Sequence, residues 1–78
     1  MRGMNIYLIS TPGPHAYDTT AGFVICADDE KSARMIAAIA DEYGSGLWLK
    51  EDFSSCVALG KAAKGTEAGV LLRDYRAG

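Results

Sequence analysis

The chain has 78 residues and a mass of 8.3 kDa, which predicts a single domain spanning residues 1–78. Eight basic and ten acidic residues give a net charge of -2, and 49% of the residues are hydrophobic. This composition excludes an intrinsically disordered or low-complexity chain. It also disfavours direct binding to nucleic acid, which usually requires a basic surplus.

Two strands are predicted in the first third of the chain. Met4–Ser10 carries apolar side chains on both faces, so we expect a strand that is central in its sheet or covered on both sides. Ala21–Ala27 is rich in β-branched and aromatic residues and predicts the second strand. Between them, Thr11–Thr20 contains two prolines and a glycine, and this pattern predicts an exposed loop.

A helix is predicted over Glu30–Tyr43. Asp28 and Asp29 precede it as candidate N-caps, and Gly44 follows it as a candidate C-terminal stop. Its apolar stripe has helical spacing and consists mostly of alanine, which favours close packing on a sheet. The stripe contains Ala33, Ile36, Ala37, Ala40 and Tyr43, with Lys31, Arg34, Asp41 and Glu42 predicted on the opposite side.

The remaining chain predicts two further strands, Phe53–Leu59 and Val70–Tyr75, separated by a polar loop at Gly60–Gly69. The order β-β-α-β-β predicts an α+β fold, a small antiparallel sheet with one helix packed on a face. Such a sheet has two edge strands, and an edge strand is one route to a homo-oligomer.

Residue chemistry predicts no enzyme, metal site or cofactor. Cys26 and Cys56 lie in apolar runs, so we expect two reduced core thiols rather than a nucleophile or a disulfide framework. His15 is the only histidine, and its place beside two prolines predicts simple exposure. No cysteine and histidine spacing is typical of zinc, and no serine lies in a nucleophile elbow.

Charge is unevenly distributed along the chain. Residues 28–52 hold seven acids and three bases, for a net -4, whereas residues 53–78 hold four bases and two acids, for a net +2. The acidic region predicts either a solvated helix face or a surface that meets a basic partner. The acids assigned to this helix face are Asp28, Asp29, Glu30, Asp41 and Glu42.

Several other residues are candidates for binding. Tyr17, Asp18 and Thr19 concentrate hydrogen-bonding groups in a loop, although turn formation explains them equally well. Trp48 is expected as a lid over the core, with an interface anchor as the alternative. The further candidates are Met35 near the polar side of the helix and Arg73, Tyr75 and Arg76 near the C-terminal end of the sequence.

Short segments along the chain form a recognisable series. They are Met4–Ser10, Tyr17–Thr19, Val24–Ile25, Leu59–Glu67 and Gly69–Leu72, with Ala77 and Gly78. The chain resembles a group of small, mostly uncharacterised phage and prophage proteins that share short motifs of this kind in this order. It departs from them at Thr20 and Ala21, where that group usually has Tyr and Asp, and at Asp74–Arg76, where it has Ser-Phe-Asn. Those departures put a shared ligand in doubt.

The resemblance implies a phage-type accessory protein that counters a bacterial antiviral defence by stoichiometric binding. The expected partner is a host defence protein or complex, as for an anti-CRISPR inhibitor. The alternative is an oligomeric sponge that sequesters a nucleotide-derived immune signal. No secretory signal or membrane span is recognised in the sequence, so we expect the cytoplasm of the bacterial host and no membrane partner. A homo-oligomer is expected because a domain this small has no predicted metal or disulfide to stabilise it.

Overall fold

Four antiparallel strands form one sheet, and an eleven-residue helix packs on one of its faces. The computed structural model describes residues 3–11, 19–41 and 45–76. The element order confirms the predicted α+β fold, with one additional short helix that the sequence did not predict. The elements are β1 (Asn5–Ser10), β2 (Thr19–Ala27), α1 (Glu30–Ala40), α2 (Ser45–Trp48), β3 (Ser55–Lys61) and β4 (Gly69–Arg76).

The strand order in the sheet is β3-β1-β2-β4, so β1 and β2 are central and β3 and β4 form the two edges. Every neighbouring pair is antiparallel. The central place of β1 agrees with its two apolar faces. Only one of those faces is covered by the helix. On the other face, Leu8 remains 38% exposed.

The core lies between the sheet and α1. Alternate residues of β1 and β2 point toward the helix, as the period of two in a strand requires. Alanines on the facing side of α1 allow the helix to approach the sheet closely, as the alanine-rich stripe predicted. The residues that the sheet and the helix bury against each other are Tyr7, Ile9, Phe23, Ile25, Ala33 and Ala37.

The start of α1 follows the sequence, and its end comes earlier than predicted. The Asp29 side chain accepts a hydrogen bond from the Ser32 backbone N–H at 2.8 Å, which confirms Asp29 as the N-cap. The helix ends at Ala40, where Asp41 takes an extended conformation and its backbone N–H donates to the Ala37 carbonyl. The predicted stripe residue Tyr43 lies outside the described residues.

Several strand boundaries differ from the prediction by one or two residues, and β3 extends to Lys61 into the predicted loop. Thr19 and Thr20 belong to β2 rather than to the preceding loop, because they pair with Arg76 and Tyr75 of β4. β3 begins at Ser55 rather than at residue 53, because a turn occupies the preceding residues. In that turn, the backbone N–H groups of residues 53 and 54 both donate to the carbonyl of Lys50.

Gly22 fills a position in β2 where the neighbouring strand approaches closely. It pairs with Ser10 on one side and with Asp74 on the other. A Cβ atom at this position would lie 2.9 Å from the carbonyl oxygen of Ile9, and backbone of a central strand cannot easily give way. Glycine is therefore required here by space.

We predict that Gly22→Ala lowers the free energy of unfolding by about 1–3 kcal/mol, because the added methyl group displaces β1 from β2. Urea unfolding followed by circular dichroism measures the change. Gly60→Ala is the matched control, since a Cβ at Gly60 in edge strand β3 meets nothing within 4 Å. The control is expected to stay within about 0.5 kcal/mol of the wild type. Equal effects of the two substitutions would contradict the steric explanation.

Candidate protein-binding surfaces

Arg34 is buried beneath α2 and the turn before β3, at 6% exposure, although the sequence predicted it on the polar side of the helix. Its Nε donates to Glu30 Oε2 at 2.9 Å, one turn earlier in α1. Nη1 donates to the Trp48 carbonyl at 3.1 Å and to Ser54 Oγ at 2.9 Å, and Nη2 donates to the Ser54 carbonyl at 3.2 Å. These acceptors compensate the loss of hydration that burial imposes on a guanidinium.

Trp48 is fully buried, which confirms the predicted core lid and corrects the alternative of an interface anchor. Its indole packs edge-on against the ring of Phe23, with 5.1 Å between the ring centroids. The indole Nε1–H donates to Asp41 Oδ2 at 2.7 Å, so the polar edge of the ring is also satisfied. Trp48 therefore closes the core on the helix side of the sheet and contacts no solvent.

The predicted acidic helix face is not one continuous face. Asp28, Asp29 and Glu30 are exposed and cluster at the start of α1. Asp41, at the other end, is buried and bonded to Trp48, so its place on an exposed acidic surface was predicted wrongly. Glu42 lies outside the described residues. The exposed negative charge of the described helix is thus concentrated at its N-terminal end.

The pairing of β2 with β4 brings several predicted binding residues together. Thr19 pairs with Arg76, and Thr20 pairs with Tyr75, through backbone contacts at the edge of the sheet. Arg73 is exposed in β4, and its guanidinium carbon lies 5.9 Å from the centroid of the Phe23 ring. The predicted loop residues Tyr17 and Asp18 lie outside the described residues.

An apolar pair lies on the outer face of α1. Met35 is 49% exposed, as the sequence predicted, and Ile39 is 80% exposed. The two residues are four apart and therefore adjacent on the helix surface, opposite the buried alanines Ala33 and Ala37. The sequence analysis missed Ile39, although its position outside the alanine stripe could have revealed it. We call Met35 and Ile39 the outer helix pair.

A second apolar surface covers the side of the sheet opposite α1. Register places Val57 of β3 beside Leu8 of β1, Leu8 beside Val24 of β2, and Val24 beside Leu72 of β4. These four side chains form one row across all four strands, and three of them are exposed. We call this row the open sheet face. A groove of about 140 Å³ lies along it and ends near Ser10 and Asp74.

Side chains of the metal-ligating and thiol types lie within the described residues. Within residues 3–11, 19–41 and 45–76, no three His, Cys, Asp or Glu side chains come together as metal ligands. Cys26 and Cys56 are both free thiols, and Cys26 is fully buried. Burial raises the pKa of the Cys56 thiol, and the negative charge of Glu30 raises it further against the opposing effect of Arg34. A raised pKa leaves less thiolate at neutral pH, which disfavours a nucleophilic role.

Comparison with known proteins adds no assignment. No family model matches the chain, and no curated protein or solved structure matches it either. The resemblance to phage accessory proteins therefore stays a prediction from short motifs. Neither helix in the described part of the chain has the length and apolar character that a membrane-spanning helix requires. The two exposed apolar surfaces are the features on which a functional proposal can be based.

We predict that Arg34→Met lowers the free energy of unfolding by about 2–4 kcal/mol, because buried acceptors at Trp48 and Ser54 lose their donor. Since Trp48 is the only tryptophan, its fluorescence during urea unfolding reports directly on this region. Lys31→Met, at an exposed position of the same helix, is the control and is expected to change stability by no more than about 0.5 kcal/mol. If both variants lose the same stability, Arg34 has no special role.

Proposed function

We propose that this chain acts by stoichiometric binding of another protein, and that its target is a bacterial antiviral defence protein or complex in the host cytoplasm. The observation that carries the proposal is the outer helix pair, Met35 and Ile39. A large aliphatic side chain at 80% exposure contributes nothing to the core of the domain. Adjacent exposed apolar side chains on a rigid helix are typical of a contact surface.

The surroundings of the outer helix pair favour a partner with basic groups near an apolar patch. Asp28 and Asp29 are exposed immediately before α1, and the helix then presents Met35 and Ile39 along its outer face. Ile39 lies ten residues after Asp29, about 15 Å along the helix axis. Carboxylates at that distance would form a charged rim that orients a basic partner and speeds association.

The support for an inhibitor of anti-CRISPR type comes from this surface together with the sequence resemblance. The charged residues at the helix start are too few and too localised to imitate the phosphates of a long nucleic acid. We therefore propose that the chain blocks a protein surface by contact and does not act as a nucleic acid mimic. Stoichiometric action requires a fixed ratio between the chain and its target at complete inhibition.

The nucleotide sponge receives less support from the described residues. The groove on the open sheet face is lined largely by apolar residues, among them Leu8, Phe23 and Leu72, and by the polar residues Ser10 and Asp74. A carboxylate and aliphatic side chains are a poor match for a phosphate, which arginine and backbone N–H groups usually bind. Arg73 is exposed, yet it stacks near Phe23 on the other face of the sheet.

Phage plaque assays in bacterial strains that each carry one defined defence system test the proposal. We predict that expression of the chain raises plaque formation at least 10-fold in one or more of these strains. Ile39→Glu is expected to abolish the gain, because it places a charge in the apolar contact. Ala63→Glu makes the same change in net charge at an exposed residue after β3 and is expected to keep full activity.

Two results would contradict the proposed function. One is the absence of any gain in all strains, including those with CRISPR systems. The other is full activity of Ile39→Glu, which would show that the outer helix pair does not contact the target. With a purified defence complex from a responsive strain, inhibition must also reach completion at a fixed molar ratio, since turnover at lower ratios would indicate an enzyme.

A further inference from the structure

We propose that the open sheet face is a homodimer interface, in which a second copy of the chain packs its own open sheet face against the first. The row of Val57, Leu8, Val24 and Leu72 would then meet the same row of the partner copy. Leu8 is 38% exposed, Val57 53% and Leu72 65%, so a large apolar surface faces solvent on the side of the sheet opposite α1. This inference concerns a different surface from the outer helix pair.

The size of the face is close to the lower limit for a specific dimer. The four strands have 6 to 9 residues each, so the sheet measures roughly 19 Å across the strands and 25 Å along them. Two such faces in contact cover at most about 950 Å² before the relief of the side chains is added, since Cys26 at one end of the face is already buried beside Met4. Specific interfaces begin at about 1,000–1,200 Å², and pairs of sheets pack face to face about 10 Å apart.

The distribution of charge favours a second copy as the occupant. A two-fold axis brings each patch against an identical patch, so a charge near the axis would face its own copy. The open sheet face has no charged residue in its central row. Among strand residues with described side chains, Asp74 is the only charged residue on this face, and it lies opposite Gly22 at the end of the groove. It would therefore lie at the rim of the dimer.

The other charged strand residues with described side chains, Arg73 and Lys61, face away from this surface. Arg73 lies opposite Phe23, which points toward α1. Lys61 lies opposite Asn5, whose side-chain amide donates to the Tyr7 hydroxyl on the helix side. The register of the sheet thus leaves the open sheet face with Asp74 at its end as its one charged strand residue with a described side chain. An uncharged, self-complementary surface matches a second copy better than it matches a strongly charged partner.

Face-to-face pairing differs from the edge-strand dimer that the sequence analysis considered. An edge dimer uses backbone groups of β3 or β4 and leaves the open sheet face exposed. A face dimer covers the row and leaves both edges free. A substitution in the row therefore distinguishes the face dimer from the edge dimer. It changes the side-chain packing of the open sheet face and leaves the backbone groups of the edge strands unchanged.

Sedimentation equilibrium over a range of protein concentrations tests the proposal. The wild type is expected to have twice the 8.3 kDa mass of the chain at 100 µM, and its melting temperature is expected to rise with concentration. Leu72→Lys and Val57→Lys, both at exposed positions on edge strands, are expected to raise the dimer dissociation constant at least 100-fold. Ile39→Lys makes a comparable apolar-to-lysine change on α1 and is expected to leave the dimer intact.

Three results would overturn the proposal. A monomeric wild type with a concentration-independent melting temperature would do so without any variant. A dimer that persists in both lysine variants would indicate an edge-strand contact instead. A dimer lost in Ile39→Lys and kept in Leu72→Lys would place the interface on α1. Fluorescence of buried Trp48 verifies that each variant remains folded. The plaque assay tests the proposed function separately from the dimer, because it depends on Ile39 in the outer helix pair.

Discussion

The guanidinium of Arg34 joins three parts of the chain through its hydrogen bonds. It binds Glu30 within α1, the carbonyl of Trp48 at the end of α2, and both the hydroxyl and the carbonyl of Ser54 just before β3. A buried guanidinium is tolerated only where its donors are satisfied, so these parts must take their places together. Trp48 is thereby held over Phe23, and the core on the helix side of the sheet is closed.

Because the core on the helix side of the sheet is filled, the proposed binding surfaces are the outer face of α1 and the opposite face of the sheet. With Trp48 and the alanines of α1 filling the core, Met35 and Ile39 point away from the sheet, and Leu8, Val57 and Leu72 remain exposed on its other side. The outer helix pair and the open sheet face therefore lie on opposite sides of a two-layer domain. A face-to-face dimer would present two outer helix pairs, and a target with two copies of its site would then be bound with added avidity.

Much of the fold follows from local sequence signals. Strand alternation gave the two faces of β1, and Asp29 marked the start of α1. Hydropathy predicted Arg34 and Asp41 in solvent. That prediction failed because Arg34 bonds to Ser54 and Asp41 accepts from Trp48, and these partners are distant in the sequence. The open sheet face depends on the order β3-β1-β2-β4 and on its register, and neither is encoded in any single segment.

A double-mutant cycle of Arg34→Met and Ser54→Ala measures whether the hydrogen bond from Arg34 Nη1 to Ser54 Oγ couples α1 to the residue before β3. Urea unfolding of the wild type, both single variants and the double variant gives the four free energies. If the residues act as one unit, the double variant loses less stability than the sum of the two single losses, by about 1 kcal/mol or more. Additive effects, within about 0.3–0.5 kcal/mol, would contradict the account.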